Sequence, residues 1–243
     1  MKKARFLSIA LVLLFVFSMI PLTVSAAASV YDGKPSTQLR TEGDKVYIDS
    51  AADLALFSQN VCGGNTYKGK QILITTDITW NSGKASDWAT KAPANNWTSI
   101  GNWGAVLEGS IDGQGHTISG LYMNVTTDNN GFVGATWGDV EIKNLAIVNS
   151  YFKATGKGNL GGVVGVNKGN GTLTISNVYC DTILECDANV VGGLVSRIHG
   201  NGTAVSKLVM SNSTFAGSVT GKDSVGGLFG YSYSYPSVGA NAV

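Results

Sequence analysis

Charged residues are scarce and nearly balanced in this chain, with 17 Lys and Arg against 16 Asp and Glu in 243 residues. Lys2, Lys3 and Arg5 open the sequence, so the remainder carries a formal charge of about −2 and has no basic excess to hold nucleic acid. Cysteine is sparse as well. Cys62, Cys180 and Cys186 cannot all pair within one chain, and their spacing fits no zinc motif. An extended strand would set Cys180 and Cys186 roughly 20 Å apart, so a bond between them needs a corner in the chain. The favoured reading is small buried thiols filling a core. Helical periodicity is missing from the second half, and beyond the amino terminus no segment is apolar enough to span a bilayer. No motif calls for a cofactor or a metal.

What is present begins with MKKARFLSIALVLLFVFSMIPLTVSAAAS, in which cations precede an apolar run and Ser25 and Ala26 offer a small-residue cut site. The apolar core, residues 6–20, is about 15 residues long against the roughly 20 of a spanning helix. This predicts an export signal cut after Ala26, with no lipobox cysteine following. The mature chain is expected outside the cytoplasmic membrane, secreted or associated with the cell surface, and no longer bound to the membrane.

Glycine is abundant, 32 residues, and with the low charge it points to β-structure with many turns. The segments GFVGATWGDVEIKNLAIVNS, GGVVGVNKGNGTLTISNVYC, GGLVSRIHGNGTAVSKLVMSNS and GGLFGYSYSY are variants of one pattern. Gly131, Gly162, Gly193 and Gly227 open equivalent units, 31, 31 and 34 residues apart. Such a period predicts a solenoid of stacked β-coils, each burying its apolar face only against its neighbours. Asn144, Asn177 and Asn212 fall at matching points, which predicts a buried asparagine ladder along the axis. Three residues on, Ile147, Cys180 and Phe215 share an inward position.

The amino-terminal part reads differently. In IDSAADLALFSQNVCGG, Ser50 and Asp53 resemble a capping box, and Leu54, Phe57 and Val61 form an apolar face before Gly63 and Gly64. A short helix capping the solenoid follows. Residues 81–96 show no strand pattern and are read as a long excursion from the first coil.

With the repeats laid out, the chain resembles the GLUG-motif family of secreted bacterial repeat proteins. The motif stands here as GFVG, GGVVG, GGLVS and GGLFG, the third departing with Ser196 in place of the last glycine. NWTSIGNWGAVLEGSIDGQGHTISGLYMN resembles the family's recurrent lead-in, and IDSAADLALFSQNV its leading helix. The resemblance spans residues 46–230 and implies an all-β fold, a right-handed parallel β-helix with a short N-terminal helical cap. It implies adhesin-like surface proteins or noncatalytic protease regions and carries no assigned reaction. The resulting organisation is a signal peptide over 1–26, a linker over 27–45 and a β-helix domain over 46–243, with repeats from about 131 to 230. In IDGQGHTISGL, Ile111, Ile118 and Leu121 are expected to face in while Gly113 and Gly115 make a bend, leaving Asp112 and His116 as turn residues.

Three functional classes remain. Polysaccharide hydrolases and lyases also use parallel β-helices with similar DGxG turns, but they need converging carboxylates or an acid-bound calcium. Asp112 stands alone, RIHG at residues 197–200 is only superficially similar to a substrate-binding Arg-Ile-Lys, and Asp181, Glu185 and Asp187 read as a solvated loop. The second class is a noncatalytic module for surface interaction or adhesion, with an extracellular glycan or host or cell-surface polymer as its finer partner. Trp88, Trp103 and Trp137 lie in loop-like sequence, where exposed rings can pack against sugars, with partial burial as the alternative; Trp97 is assigned to the core. Tyr231, Tyr233 and Tyr235 form a second candidate edge. The third class is a purely structural spacer. YSYSYPSVGANAV ends just after a fresh unit begins, so a partner covering the C-terminal coil, or a longer architecture, is also expected.

Overall fold

The computed structural model describes residues 29–156, 158–187, 190–200 and 206–233. The leader expected at residues 1–26, and Tyr235, lie outside them. Strand β1 (Arg40–Glu42), inside the segment read from the sequence as linker, turns back antiparallel on β2 (Lys45–Ile48). Helix α1 (Ala51–Cys62) follows, capped as its sequence indicates: Ser50 Oγ accepts from the Asp53 amide at 3.1 Å, and the Asp53 carboxylate accepts from Ser50 Oγ. Its buried face includes Leu54, Phe57 and Val61.

Beyond the helix every strand pairing is parallel. Strands β3 (Gln71–Ile74) and β4 (Ile78–Thr79) precede the excursion, and β5 (Ser110–Asp112), β6 (Thr117–Ser119) and β7 (Tyr122–Val125) complete the lead-in. The repeat units then stack. The first holds β8 (Val133–Trp137), β9 (Val140–Ala154) and β10 (Asn159–Gly161). The second holds β11 (Val164–Lys168), β12 (Gly171–Cys186) and β13 (Val190–Gly192). The third holds β14 (Val195–His199), β15 (Ser206–Ser211), β16 (Thr214–Phe215), β17 (Ser218–Thr220) and β18 (Ser224–Gly226), and β19 (Phe229–Tyr233) opens the fourth. Each strand pairs with its counterpart one unit away, giving a β-solenoid of about three turns.

Identical positions therefore stack. Val46, Ile72, Ile111, Ile142, Ile175 and Met210 form one inward column through six rungs. β-branched side chains suit this pleated stacking, and each fully buried one contributes about 1.5–3 kcal/mol. A second column sets Cys180 between Ile147 and Phe215, the register expected from the repeats, and Cys180 is fully buried. At the carboxy-terminal end Val225 and Leu228 are 48% and 45% exposed, whereas their counterparts one coil earlier, Val191 and Leu194, are fully buried.

Two expectations are corrected. The asparagine column is not buried: Asn177 is exposed and Asn144 half-buried, on the outside of a bend where Asn144, Asn177 and Asn212 all have positive φ. Asparagine suits this left-handed backbone, and its amide can still bond along the axis. Asp181 and Glu185 do not sit in a solvated loop but in β12, where Glu185 accepts from the Tyr151 hydroxyl at 2.7 Å and lies 3.7 Å from Lys153 Nζ.

Candidate functional site

Strands β8, β11, β14 and β19 lie side by side and align Trp137, Lys168, His199 and Tyr233 in one row. Each is the sixth residue after the glycine that opens its unit. Two residues earlier, Ala135, Val166, Arg197 and Tyr231 form a second row on the same face. The residues between, Thr136, Asn167 and Ile198, alternate to the other face and are fully buried.

Aromatic rings gather over the outer rows. His199 lies parallel to Tyr233, centroids 5.1 Å apart, and Trp103 meets His199 edge-on at 5.3 Å. Lys168 Nζ sits 4.2 Å from the Trp103 ring centre and 5.6 Å from that of Trp137, and donates to the Trp103 carbonyl at 2.5 Å. The ammonium thus ties the loop bearing Trp103 to the sheet.

Arg197 Nη2 lies 3.0 Å from His199 Nδ1, and its guanidinium is 5.4 Å from the Tyr233 ring and 6.0 Å from that of Tyr231. Guanidinium can only donate, so Nδ1 is the acceptor and the network assigns the neutral imidazole proton to Nε2. Burial, then the charges of Arg197 and Lys168, push the His199 pKa down, which favours that neutral form. Beside the rows opens a hollow of about 650 Å³ walled by Trp103, Arg197, Tyr231 and Tyr233, with Asp128 and Asp223 exposed at its margin.

A groove of about 690 Å³ runs along the neighbouring face, past Lys68, Glu108, Asp139 and Lys143. Its charges are mutually engaged: Lys68 pairs with Glu108 at 3.0 Å, Lys143 with Glu141 at 2.6 Å, and Asp139 accepts from the Thr172 amide at 2.7 Å. The aromatic face is the smaller cavity yet the better site, because its cations have no carboxylate partner among the described residues.

The candidates named from the sequence separate. Trp103 is 45% exposed, and Trp137 is half-buried with its ring lying against the Gly169 backbone. Trp88 is corrected: it is only 4% exposed, packed with Ala85, Tyr122 and Tyr151 where the excursion folds against the solenoid, so its ring has no open face. Trp97 is fully buried, donating from Nε1 to the Gly131 carbonyl at 3.2 Å. Asp112 and His116 serve different partners. Asp112 Oδ1 accepts from the Gln114 amide and from Asn144 Nδ2, whereas His116 Nδ1 lies 3.2 Å from Asp77. Among the described residues no three His, Cys, Asp or Glu side chains converge as a metal site.

Arg197 and His199, set aside in the sequence as RIHG, belong to the aromatic face. Lys168 carries no local sequence signal. The signal that finds all three is the offset from the repeat glycines, because equal offsets become adjacent side chains in a solenoid.

No protein-family model matches the chain, and no solved structure matches it. Halomucin of Haloquadratum walsbyi is 31% identical over 160 residues, which is 64% of this chain and 2% of that protein's length. Among the described residues no helix is long and apolar enough to cross a membrane.

Proposed function

We propose that this is an exported, noncatalytic β-helical repeat protein of the GLUG-motif type, which binds an extracellular polysaccharide through the outer face of β8, β11, β14 and β19. The observation that carries this reading is the row Trp137, Lys168, His199 and Tyr233 with Trp103 laid across it. Rings held by a rigid sheet present flat apolar surface at little entropic cost, which suits sugar faces. The solenoid and the segmental similarity to Halomucin are compatible with a surface or structural role. The separate engagements of Asp112 and His116 favour a turn over an acid–base pair.

Single sites of this kind bind weakly, so the test uses polymeric ligand. The purified chain is passed over insoluble glycans and mucin, alongside Trp103→Ala, Trp137→Ala and the double variant. Retention of the wild type, reduced stepwise in the variants with unchanged circular dichroism, supports the reading. Absence of wild-type retention, or its survival in the folded double variant, overturns it.

A further inference from the structure

We propose that the aromatic face selects acidic sugars, with Arg197 receiving the ligand's anionic group while Trp103 and Tyr231 take the adjoining ring faces. This rests on the polysaccharide-binding reading and specifies its ligand class. The starting point is how Arg197 is held. Its guanidinium is half-buried in the hollow wall beside two tyrosine rings, and Nε is shielded from solvent with no hydrogen-bond acceptor among the described residues. Among the described residues its guanidinium meets the His199 imidazole, and no carboxylate comes within ion-pair distance of it.

A buried donor left without an acceptor is costly, and a half-desolvated cation without a counter-ion is more so. Arginine in such a position is suited to a planar anion, because its fork meets a carboxylate through two parallel hydrogen bonds. Lys168, one strand away, also has no carboxylate partner among the described residues; its ammonium is occupied by Trp103, so it adds positive potential without competing for the anion.

Asp128 and Asp223 shape the selectivity. Both are exposed at the margin of the hollow, where a carboxylate can accept from sugar hydroxyls. They also repel a densely charged polymer. The site therefore fits one carboxylate per sugar, flanked by hydroxyls, better than a crowded polysulfate.

The experiment compares retention on immobilised polygalacturonate, on the same polymer with its carboxyl groups methyl-esterified, and on dextran sulfate. Expected is retention on polygalacturonate, about tenfold weaker on the ester, with Arg197→Gln on polygalacturonate falling by about the same factor and Arg197→Lys in between. The ester comparison uses the wild type alone, so it decides even if the variants unfold. Dextran sulfate retained through Arg197 as strongly as polygalacturonate would overturn the preference for a carboxylate over a crowded polysulfate. Equal retention of polygalacturonate and its ester overturns the acidic-sugar inference and leaves polysaccharide binding standing. So does dextran sulfate retention that ignores Arg197→Gln. No retention on these probes or on neutral glycans overturns both.

Discussion

Asn177 Nδ2 donates to Asn144 Oδ1 at 2.9 Å across two coils, and both residues hold a left-handed backbone, φ 54° and 53°. The ladder continues downward, with Asn144 Nδ2 donating to Asp112 at 3.0 Å, on the outside of the solenoid. Asparagine thus answers two demands at one bend, backbone conformation and an axial hydrogen bond. Which demand dominates follows from magnitudes. Forcing an ordinary L-residue into the left-handed region costs roughly 1–2 kcal/mol, while a single solvent-accessible hydrogen bond contributes about 0.5–1.5 kcal/mol.

Replacement of Asn177 separates the two. Asn177→Leu is expected to cost about 1–2 kcal/mol, and Asn177→Gly, which accepts positive φ without strain, less than about 1 kcal/mol. Thermal melting of both variants gives the comparison. Equal losses would mean that the amide bond, not the backbone, keeps asparagine there.

The repeat glycines divide in the same way. A Cβ at Gly162 would stand 2.3 Å from the Gly193 carbonyl oxygen and 2.7 Å from Cys180 Sγ, whereas at Gly227 it would meet nothing within 4 Å. Gly162→Ala must push two coils apart or displace the core column, and overpacking of that kind costs about 1–3 kcal/mol or more. Gly227→Ala is expected to leave the melting midpoint nearly unchanged. A tolerated Gly162→Ala would show that the coils have slack between them.

These two cases mark what the sequence exposes. The period, the inward column of Ile147, Cys180 and Phe215, and the cap begun by Ser50 follow from spacing and alternation, which are local properties of the chain. Which side of a bend faces water is not local, so the asparagines read as buried when they are outside. Trp88 misleads for a related reason: its segment has no strand pattern, and only Tyr122, Tyr151 and Ile183, 34 to 95 residues away, show what covers it. Arg197 and His199 show in the sequence only as RIHG, and Lys168 carries no local signal, because each is unremarkable within its own unit. They become a site only when three units are superposed.

Trp88 carries the last prediction. The excursion that bears it is fastened by Asn149, whose Oδ1 accepts from the Ala85 amide and whose Nδ2 donates to the Gly83 carbonyl, both at 2.9 Å. Under it run Tyr122, Tyr151 and Ile183, in register on three successive strands, with the two tyrosine rings stacked at 5.9 Å. Trp88 meets Tyr122 edge-on at 6.1 Å, so its ring closes this outer cluster and keeps water from Tyr151. Burial, then the hydrogen bond to Glu185, raises the Tyr151 pKa above the ordinary phenol range. Trp88→Ala should therefore cost about 3 kcal/mol, the low end for truncating a buried tryptophan because a surface excursion can partly collapse into the gap. It should also lower the Tyr151 pKa toward its ordinary value, read by ultraviolet titration of phenolate against a Tyr151→Phe control. Glycan retention should stay as in the wild type at temperatures below the new melting point. Loss of retention with the midpoint unchanged would return Trp88 to the binding face and undo its assignment as a structural cover.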